Sequence, residues 1–227
     1  MSNYDSIIFD LDGTLFQTDK LVITSFKNTF RELQRDGYKF ETLPSEKEIL
    51  AVIGLTLDNI WGKLLTELPK EAYIKASNYL LRYELEGIRA GYGSLYPGVV
   101  DTLIELNNSG LKLFIASNGI REYIYEVTKA FKIDNLFTAQ YCANDFNTNS
   151  KSELVKKIIS FHNIKKGIMV GDRLSDVEAG INNNLYVIGC NFGFSFEDEL
   201  AKSNIIVDEF YQIYDILNNK IKKVELN

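Results

Sequence analysis

Two aspartates, Asp10 and Asp12, directly follow the short apolar segment 6–9 and precede Gly13. A short apolar run bounded by glycine is typical of a buried strand. Carboxylates at the end of such a strand lie where open α/β sheets bind their ligands. Two anions this close repel one another unless a cation or a shared proton lies between them. Mg²⁺ is the natural candidate for that cation, because it takes carboxylate and phosphate oxygens together.

Other polar side chains occupy comparable positions further along the chain. Most of them follow a second or a third apolar segment, and one lysine opens a predicted helix. These candidates are Ser117, Asn118, Lys151, Asp172 and Asp176. Together with the first pair they supply what phosphoryl transfer needs: a carboxylate nucleophile, a second carboxyl group that moves protons, and donors for the phosphoryl oxygens.

Strand-like and helix-like segments alternate over most of the chain. The predicted strands are 6–9, 111–116, 167–170, 185–189 and 204–207. The predicted helices between and after them are 99–108, 121–131, 152–161, 176–182 and 209–222. Strands that alternate with helices indicate βαβ units. We therefore predict an α/β fold whose core is a Rossmann-like parallel sheet.

Residues 19–90 interrupt that alternation with helical patterns alone. The first pattern can close at Gly37, and a capping box at Ser45 begins the second. Two further helical patterns precede a glycine-rich exit that suits a hinge. We predict an α/β catalytic core of residues 1–16 and 95–227, with an inserted all-α cap at 17–94.

The composition is that of an ordinary globular chain, with 45% hydrophobic residues and a net charge of −6. The negative charge argues against nucleic-acid binding. No apolar run approaches the roughly 20 residues that span a bilayer, and the first residues do not resemble a signal peptide. The two cysteines have no motif spacing. We expect a cytoplasmic protein without nucleic-acid or membrane partners, as a monomer or weak homodimer.

The order of these motifs resembles that of the haloacid-dehalogenase-like hydrolase superfamily. The motifs are Asp-x-Asp-Gly-Thr, Ser-Asn, Lys and Gly-Asp-x-x-x-Asp, and they extend over nearly the whole chain. The insert resembles that superfamily's helical cap, and segments 96–98 and 189–193 resemble its phosphoglycolate-phosphatase-like branch. One departure is Ser152, which stands where relatives usually carry proline after the lysine. We expect Ser152 to cap the helix that follows.

The resemblance implies catalytic roles for matching residues. It makes Asp10 the nucleophile and Asp12 the general acid and base. It also implies that Ser117 and Lys151 bind the phosphoryl group, with Asn118 contributing through its backbone.

The resemblance likewise implies a Mg²⁺ site. Its ligands would be Asp10, the backbone carbonyl of Asp12, and Asp172. Asp176 and Thr14 would lie just outside the coordination sphere. Outside this set, we expect Arg173 to form a structural ion pair.

The implied reaction is Mg²⁺-dependent hydrolysis of a small phosphate monoester through an aspartyl-phosphate. Phosphoglycolate, a sugar phosphate or a nucleotide would suit this chemistry. The presence of Asp12 favours a phosphatase over a dehalogenase, because a halide leaving group needs no proton. Open alternatives are a phosphomutase of the same fold, a pyrophosphatase, and a non-catalytic regulatory or binding protein on a phosphatase scaffold.

Overall fold

A parallel sheet of six strands forms the centre of the molecule. The computed structural model describes residues 4–146, 148, 150–196 and 198–224. Its strands are β1 (Ser6–Phe9), β2 (Phe16–Gln17), β3 (Ser94–Leu95), β4 (Lys112–Ser117), β5 (Ala139–Cys142), β6 (Gly167–Gly171), β7 (Tyr186–Cys190) and β8 (Ile205–Val207). The order in the central sheet is β5-β4-β1-β6-β7-β8, while β2 and β3 form a separate antiparallel pair. The predicted α/β fold with a parallel sheet is confirmed.

Helices cover the sheet and form most of the segment between β2 and β3. They are α1 (Asp19–Arg35), α2 (Glu46–Ala51), α3 (Leu57–Leu64), α4 (Lys70–Arg89), α5 (Val99–Asn108), α6 (Arg121–Ala130), α7 (Lys151–His162), α8 (Leu174–Asn182) and α9 (Gln212–Val224). Within the described ranges, none of these helices is both long and apolar enough to cross a bilayer.

The position of β1 in the sheet explains where ligands can bind. All four of its residues are buried, and it pairs in parallel with β4 on one side and β6 on the other. Phe9 is in register with Ile115 of β4 and with Val170 of β6. The chain order of the strands reverses at β1, which creates the crevice where α/β sheets bind ligands. The register therefore brings the residues that follow these three strands to one edge of the sheet.

The helices α1 to α4 have a hydrophobic cluster of their own. Phe26, Phe30, Ile49 and Trp61 are buried in it, and Trp61 is fully inaccessible to solvent. The predicted capping box of α2 is present, with the Ser45 side chain accepting from the backbone N–H of Glu48. The division of the chain into a core and a cap at residues 17–94 stays a prediction. The segment contains the helices α1 to α4, and its first and last residues, Gln17 and Ser94, belong to β2 and β3.

Some local expectations differ from the structure. The sequence did not indicate β5, which is half-buried along most of its length at the sheet edge and lacks the continuous apolar run of the inner strands. Ser152 does not cap α7: the helix begins at Lys151, and its N-cap is Ser150. The helix α8 begins at Leu174, two residues before the predicted start.

Candidate active site

Three predicted site residues lie at the carboxyl ends of adjacent strands. Asp10 follows β1, Ser117 is the last residue of β4, and Asp172 follows β6. The Asp10 backbone N–H extends the sheet by donating to the Val170 carbonyl at 2.9 Å. The Asp10 and Asp172 side chains are almost completely buried. The strand ends thus place these polar groups side by side, away from bulk solvent.

Lys151 enters this group from the first turn of α7. Its ammonium group forms ion pairs with Asp10 and, at 2.7 Å, with Asp176 Oδ1. Lys151 is 4% exposed, so water barely screens these contacts. Burial lowers the pKa of Lys151, but Asp10 and Asp176 more than offset that effect and raise it above its usual value. The lysine therefore stays charged.

Asp10, Asp172 and Asp176 form a buried cluster of carboxylates. One oxygen from each lies within 4.8 Å of the others. Burial and the neighbouring carboxylates raise the pKa of Asp10 well above its usual value, although Lys151 opposes them. Burial, and then Asp176, raise the pKa of Asp172 to about 7. Three ionised carboxylates would carry more negative charge than one lysine can neutralise, so the cluster favours binding of protons or of a cation.

The cluster also has the donor atoms that a divalent cation needs. Asp10 Oδ2 is buried and, among the described residues, has no hydrogen-bond partner. Such an orphaned oxygen is costly unless another group binds it. Hard cations such as Mg²⁺ prefer carboxylate oxygens. The residues present thus fit a Mg²⁺ ion.

Two contacts fix the orientation of Asp172. Thr14 Oγ1 donates to Asp172 Oδ1 at 3.2 Å, and the Phe194 backbone N–H donates to Oδ2 at 2.6 Å. Gly13 has a φ of +87°, and a Cβ at that position would lie 2.2 Å from Asp172 Oδ2. Glycine is therefore required here both for the backbone conformation and for the space beside the carboxylate.

The Asp12 carboxylate has a different environment. It accepts a hydrogen bond of 2.5 Å from the Tyr123 hydroxyl, which also lies 3.0 Å from Thr18 Oγ1. Burial raises the pKa of Asp12 to about 6, although the hydrogen bond from Tyr123 opposes the shift. A carboxyl group with such a pKa can both give and take a proton near neutral pH. The sequence did not single out Tyr123, since it lies in α6 without any motif around it.

Ser117 and Asn118 lie at the boundary between the strand ends and the inserted helices. Ser117 Oγ accepts from the Gly119 backbone N–H at 3.0 Å. The Asn118 side chain donates to the Gly54 carbonyl at 2.8 Å, in the loop between α2 and α3. Arg173 Nη1 donates to the neighbouring Ile53 carbonyl at 2.6 Å. Two side chains from the strand ends thus hold one loop of the insert.

Arg173 also bears out its expected structural role. Its Nε lies 2.9 Å from Glu199 Oε2, in a largely buried ion pair. Its backbone N–H donates to the Asp176 carboxylate at 3.0 Å, so that Asp176 stabilises the start of α8 while it also contacts Lys151.

A small cavity connects the site to the insert. Its volume is about 60 Å³, which holds only a few water-sized groups. Asp10, Asp12 and Ser117 at the strand ends and Tyr123 of α6 line one side, while most lining residues from the insert are apolar. The cavity is therefore polar at its floor and apolar at its roof, as expected of a site for a small molecule.

Comparison with known proteins identifies the family. The model of the family described as haloacid dehalogenase-like hydrolase matches residues 7–190. The match includes β1 and extends through β7, together with all of the strand ends described above. The chain belongs to the haloacid dehalogenase-like hydrolases, which confirms the resemblance and the class of enzyme: a phosphatase of this family.

Individual relatives agree with this assignment. The chain is similar to pyrophosphatase PpaX of Halalkalibacterium halodurans, with 29% identity over 86% of each chain. It is also similar to a 5'-nucleotidase of Pseudomonas aeruginosa, with 25% identity over 87% of each chain. Among solved structures, a predicted phosphoglycolate phosphatase from Haemophilus somnus superposes with a TM-score of 0.83 at 22% identity, covering 95% of this chain and 99% of that one. The last similarity supports the fold.

Proposed function

We propose that this protein is a Mg²⁺-dependent phosphatase that hydrolyses a small phosphate monoester through an aspartyl-phosphate at Asp10. One observation carries the proposal. Asp10 has an oxygen that is buried and, among the described residues, has no hydrogen-bond partner, and its side chain pairs with the charged Lys151. Asp12, two residues further on, has different contacts and a pKa of about 6. Asp10 can thus act as the nucleophile and Asp12 as the proton carrier, because their carboxyl groups have different contacts.

In the first step, an oxygen of Asp10 attacks phosphorus, and the bond from phosphorus to the alcohol oxygen breaks. Asp12 gives its proton to that departing oxygen. The Lys151 ammonium, the Ser117 hydroxyl and the Asn118 backbone bind the phosphoryl oxygens, on which negative charge accumulates. The products are the free alcohol and a phosphorylated Asp10.

In the second step, Asp12 is a carboxylate and takes a proton from water. The water oxygen attacks phosphorus, and the bond between phosphorus and Asp10 breaks. Phosphate leaves, and both aspartates return to their starting states. Splitting hydrolysis into two displacements lowers the barrier of each.

Asp10, Asp172 and the Asp12 backbone carbonyl would hold the Mg²⁺ ion. When bound, it neutralises charge on the phosphoryl oxygens. We assign Asp176 to positioning, because it contacts Lys151 and the backbone of Arg173. Thr14 orients Asp172 through its hydroxyl.

Turnover of p-nitrophenyl phosphate, measured with and without Mg²⁺, tests the proposal. The wild-type protein should hydrolyse this ester only with the metal, and Asp10→Asn should reduce kcat by at least about a thousandfold. Asp12→Ala should also lose turnover, but it should retain Mg²⁺ affinity in calorimetry, because its proposed metal contact is the backbone. Asp172→Ala is the matched variant and should lose that affinity. Equal loss of Mg²⁺ binding in both variants would contradict the assignment of Asp12.

A panel of phosphorylated compounds addresses the remaining alternatives. Inorganic pyrophosphate belongs in it, because several relatives are named pyrophosphatase PpaX. Sugar phosphates distinguish a phosphatase from a phosphomutase, since only the phosphatase releases inorganic phosphate in proportion to the substrate consumed. Absence of metal-dependent turnover across the whole panel would favour a non-catalytic role. We further propose action on a cytoplasmic metabolite by a monomer or weak homodimer.

A further inference from the structure

Glu84 is a carboxylate in the cavity that the proposed chemistry does not use. It belongs to α4 of the insert and lines the same cavity as Asp10, Asp12 and Ser117. Within the described residues, the half-buried Glu84 side chain forms no hydrogen bond and no ion pair. Burial, and then the charge of Asp12, raise the pKa of Glu84 well above its usual value. An unpaired carboxylate in such a place favours a partner that donates hydrogen bonds or carries positive charge.

The cavity wall offers Glu84 little to pair with: the Tyr123 hydroxyl, which is close enough to interact with it electrostatically, already donates to Asp12. Other neighbours of Glu84 in the cavity wall include Val22, Phe26, Ile60 and Leu80, which are apolar. Neither lysine nor arginine is present among the described residues of the wall. Lys151, the cation at the strand ends, is already paired with two carboxylates.

This arrangement restricts the alcohol part of the substrate, and the inference rests on the proposed function. An alcohol that carries a carboxylate or a second phosphate would place its negative charge beside Glu84 and Asp12. No basic side chain in the described wall would compensate for it. A short methylene chain that ends in an ammonium group would instead contact the apolar wall and pair with Glu84.

We infer that Glu84 selects phosphate monoesters of small amino alcohols and excludes esters whose alcohol part is anionic. The Glu84 carboxylate accepts hydrogen bonds from the ammonium group, while the strand ends bind the phosphoryl group. The selected class therefore differs from phosphoglycolate and from pyrophosphate, both of which carry negative charge on the leaving side.

Three esters of nearly equal size test the inference: phosphoethanolamine, n-propyl phosphate and 2-phosphoglycolate. Their alcohol parts are cationic, neutral and anionic. Affinities are measured by calorimetry on the Asp10→Asn protein with Mg²⁺ in excess, because the expected loss of turnover keeps the esters intact. We expect phosphoethanolamine to bind about tenfold more tightly than n-propyl phosphate, as a charged hydrogen bond would provide. We expect 2-phosphoglycolate to bind more weakly than both.

Glu84→Gln, added to the same protein, should reduce the preference for phosphoethanolamine over 2-phosphoglycolate by about tenfold or more. Glu86→Gln is the matched control, because Glu86 lies on the same helix but is exposed. It should leave the preference unchanged. The inference is overturned if 2-phosphoglycolate binds as tightly as phosphoethanolamine, or if Glu84→Gln preserves the preference.

The comparison of the three esters needs only the protein that retains Glu84, so it does not depend on the folding of the variant. It is read out as binding and not as turnover. Absence of Mg²⁺-dependent turnover of p-nitrophenyl phosphate and of the whole panel would refute the phosphatase proposal. An absent charge preference, alongside normal turnover of that ester, would refute only the role of Glu84.

Discussion

Asp10 and Asp12 are separated by one residue, yet their carboxylates have different partners. Asp10 lies in the carboxylate cluster with Lys151, while Asp12 contacts the Tyr123 hydroxyl. Alternation of side chains along an extended backbone would place both on the same side of β1. The chain leaves the strand at Phe9, however, and β1 does not include either aspartate. The change of direction at the strand end gives two identical side chains different chemistry.

Removal of the Tyr123 hydroxyl should change the pH dependence of the reaction. A hydrogen bond donated to a carboxylate stabilises its charged form and lowers its pKa. In Tyr123→Phe, the pKa of Asp12 should therefore rise from about 6 by about one unit. The first step needs protonated Asp12, so kcat/KM for an alkyl phosphate should fall with rising pH above that pKa. The alkaline limb should move to higher pH in the variant.

Tyr125→Phe is the control for this measurement. Tyr125 also lies on α6, but it is exposed and its hydroxyl contacts Lys129. The pH profile of this variant should match that of the wild-type protein. Coincident profiles for all three proteins would show that Tyr123 does not influence Asp12.

Residues at strand ends were predictable from the sequence because each follows a local apolar pattern. Asp10, Asp12 and Asp172 were identified in that way, and the structure brings Asp10 and Asp172 together. Tyr123 and Glu84 were not identified, because nothing local distinguishes them from other helical residues. Only the packing of α4 and α6 against the strand ends brings these two side chains to the site, and such long-range packing has no signature in one sequence.

At the scale of elements, the loop between α2 and α3 is the point where the insert is tied to the strand ends. Asn118 binds the Gly54 carbonyl, and Arg173 binds the Ile53 carbonyl. Both donors directly neighbour proposed site residues, Ser117 and Asp172. Movement of this loop should therefore shift Ser117 and Asp172 at the proposed phosphoryl site. In other enzymes, lids that close over substrate act on the active site in the same way.

Asn118→Ala should loosen this loop. Loss of one hydrogen bond that contributes about 1 kcal/mol should increase the equilibrium constant for local opening of the loop about fivefold. Hydrogen–deuterium exchange should accordingly quicken about fivefold at the amides of Ile53 and Leu55, which are hydrogen-bonded within the segment. Asn107→Ala removes a comparable bond, to the Leu136 carbonyl, and serves as control. Equal exchange rates at these amides in the two variants would show that the hydrogen bond from Asn118 does not hold the loop.

The sequence anticipated most helices, and it failed where local signals were ambiguous. The end of α1 beside Gly37 and the start of α2 at Ser45 were predicted from capping chemistry. The edge strand β5 was missed, because an edge strand needs no continuous apolar run. At α7, two serines flank Lys151, and the structure uses Ser150 rather than Ser152 as the N-cap.

At the scale of the whole molecule, the carboxylate cluster couples folding to pH, and the proposed Mg²⁺ site should couple it to metal binding as well. The pKa of Asp172 is about 7 in the folded protein, above its ordinary value of 3.8. A carboxyl group whose pKa is higher in the folded protein than in the unfolded one stabilises the fold below its unfolded pKa. That stabilisation is lost as the pH rises through the folded pKa. Without metal, ionisation of Asp172 near neutral pH therefore lowers the free energy of unfolding.

Mg²⁺ should raise the Tm of the wild-type protein more at pH 8 than at pH 5. At pH 5 protons compete with the metal for Asp172, whereas at pH 8 the metal relieves repulsion among the carboxylates. At a hundredfold excess over Kd, the stabilisation should be about 2.7 kcal/mol. Thermal unfolding with Mg²⁺ and with a chelator, at both pH values, measures the difference. Asp172→Asn should show a smaller metal effect, and an equal effect of Mg²⁺ at both pH values would contradict the coupling.

The pairing of β2 with β3 has a consequence for how proteins with this architecture diversify. Phe16 and Gln17 lie beside Leu95 and Ser94, so the chain leaves for the helical segment and returns from it through neighbouring strands. Because the two ends of the helical segment lie side by side, a different segment could replace it. A different insertion, short or long, needs only two ends that meet the same strand pair. Such an exchange would change which ligands the protein binds, while the carboxylates at the strand ends stay in place.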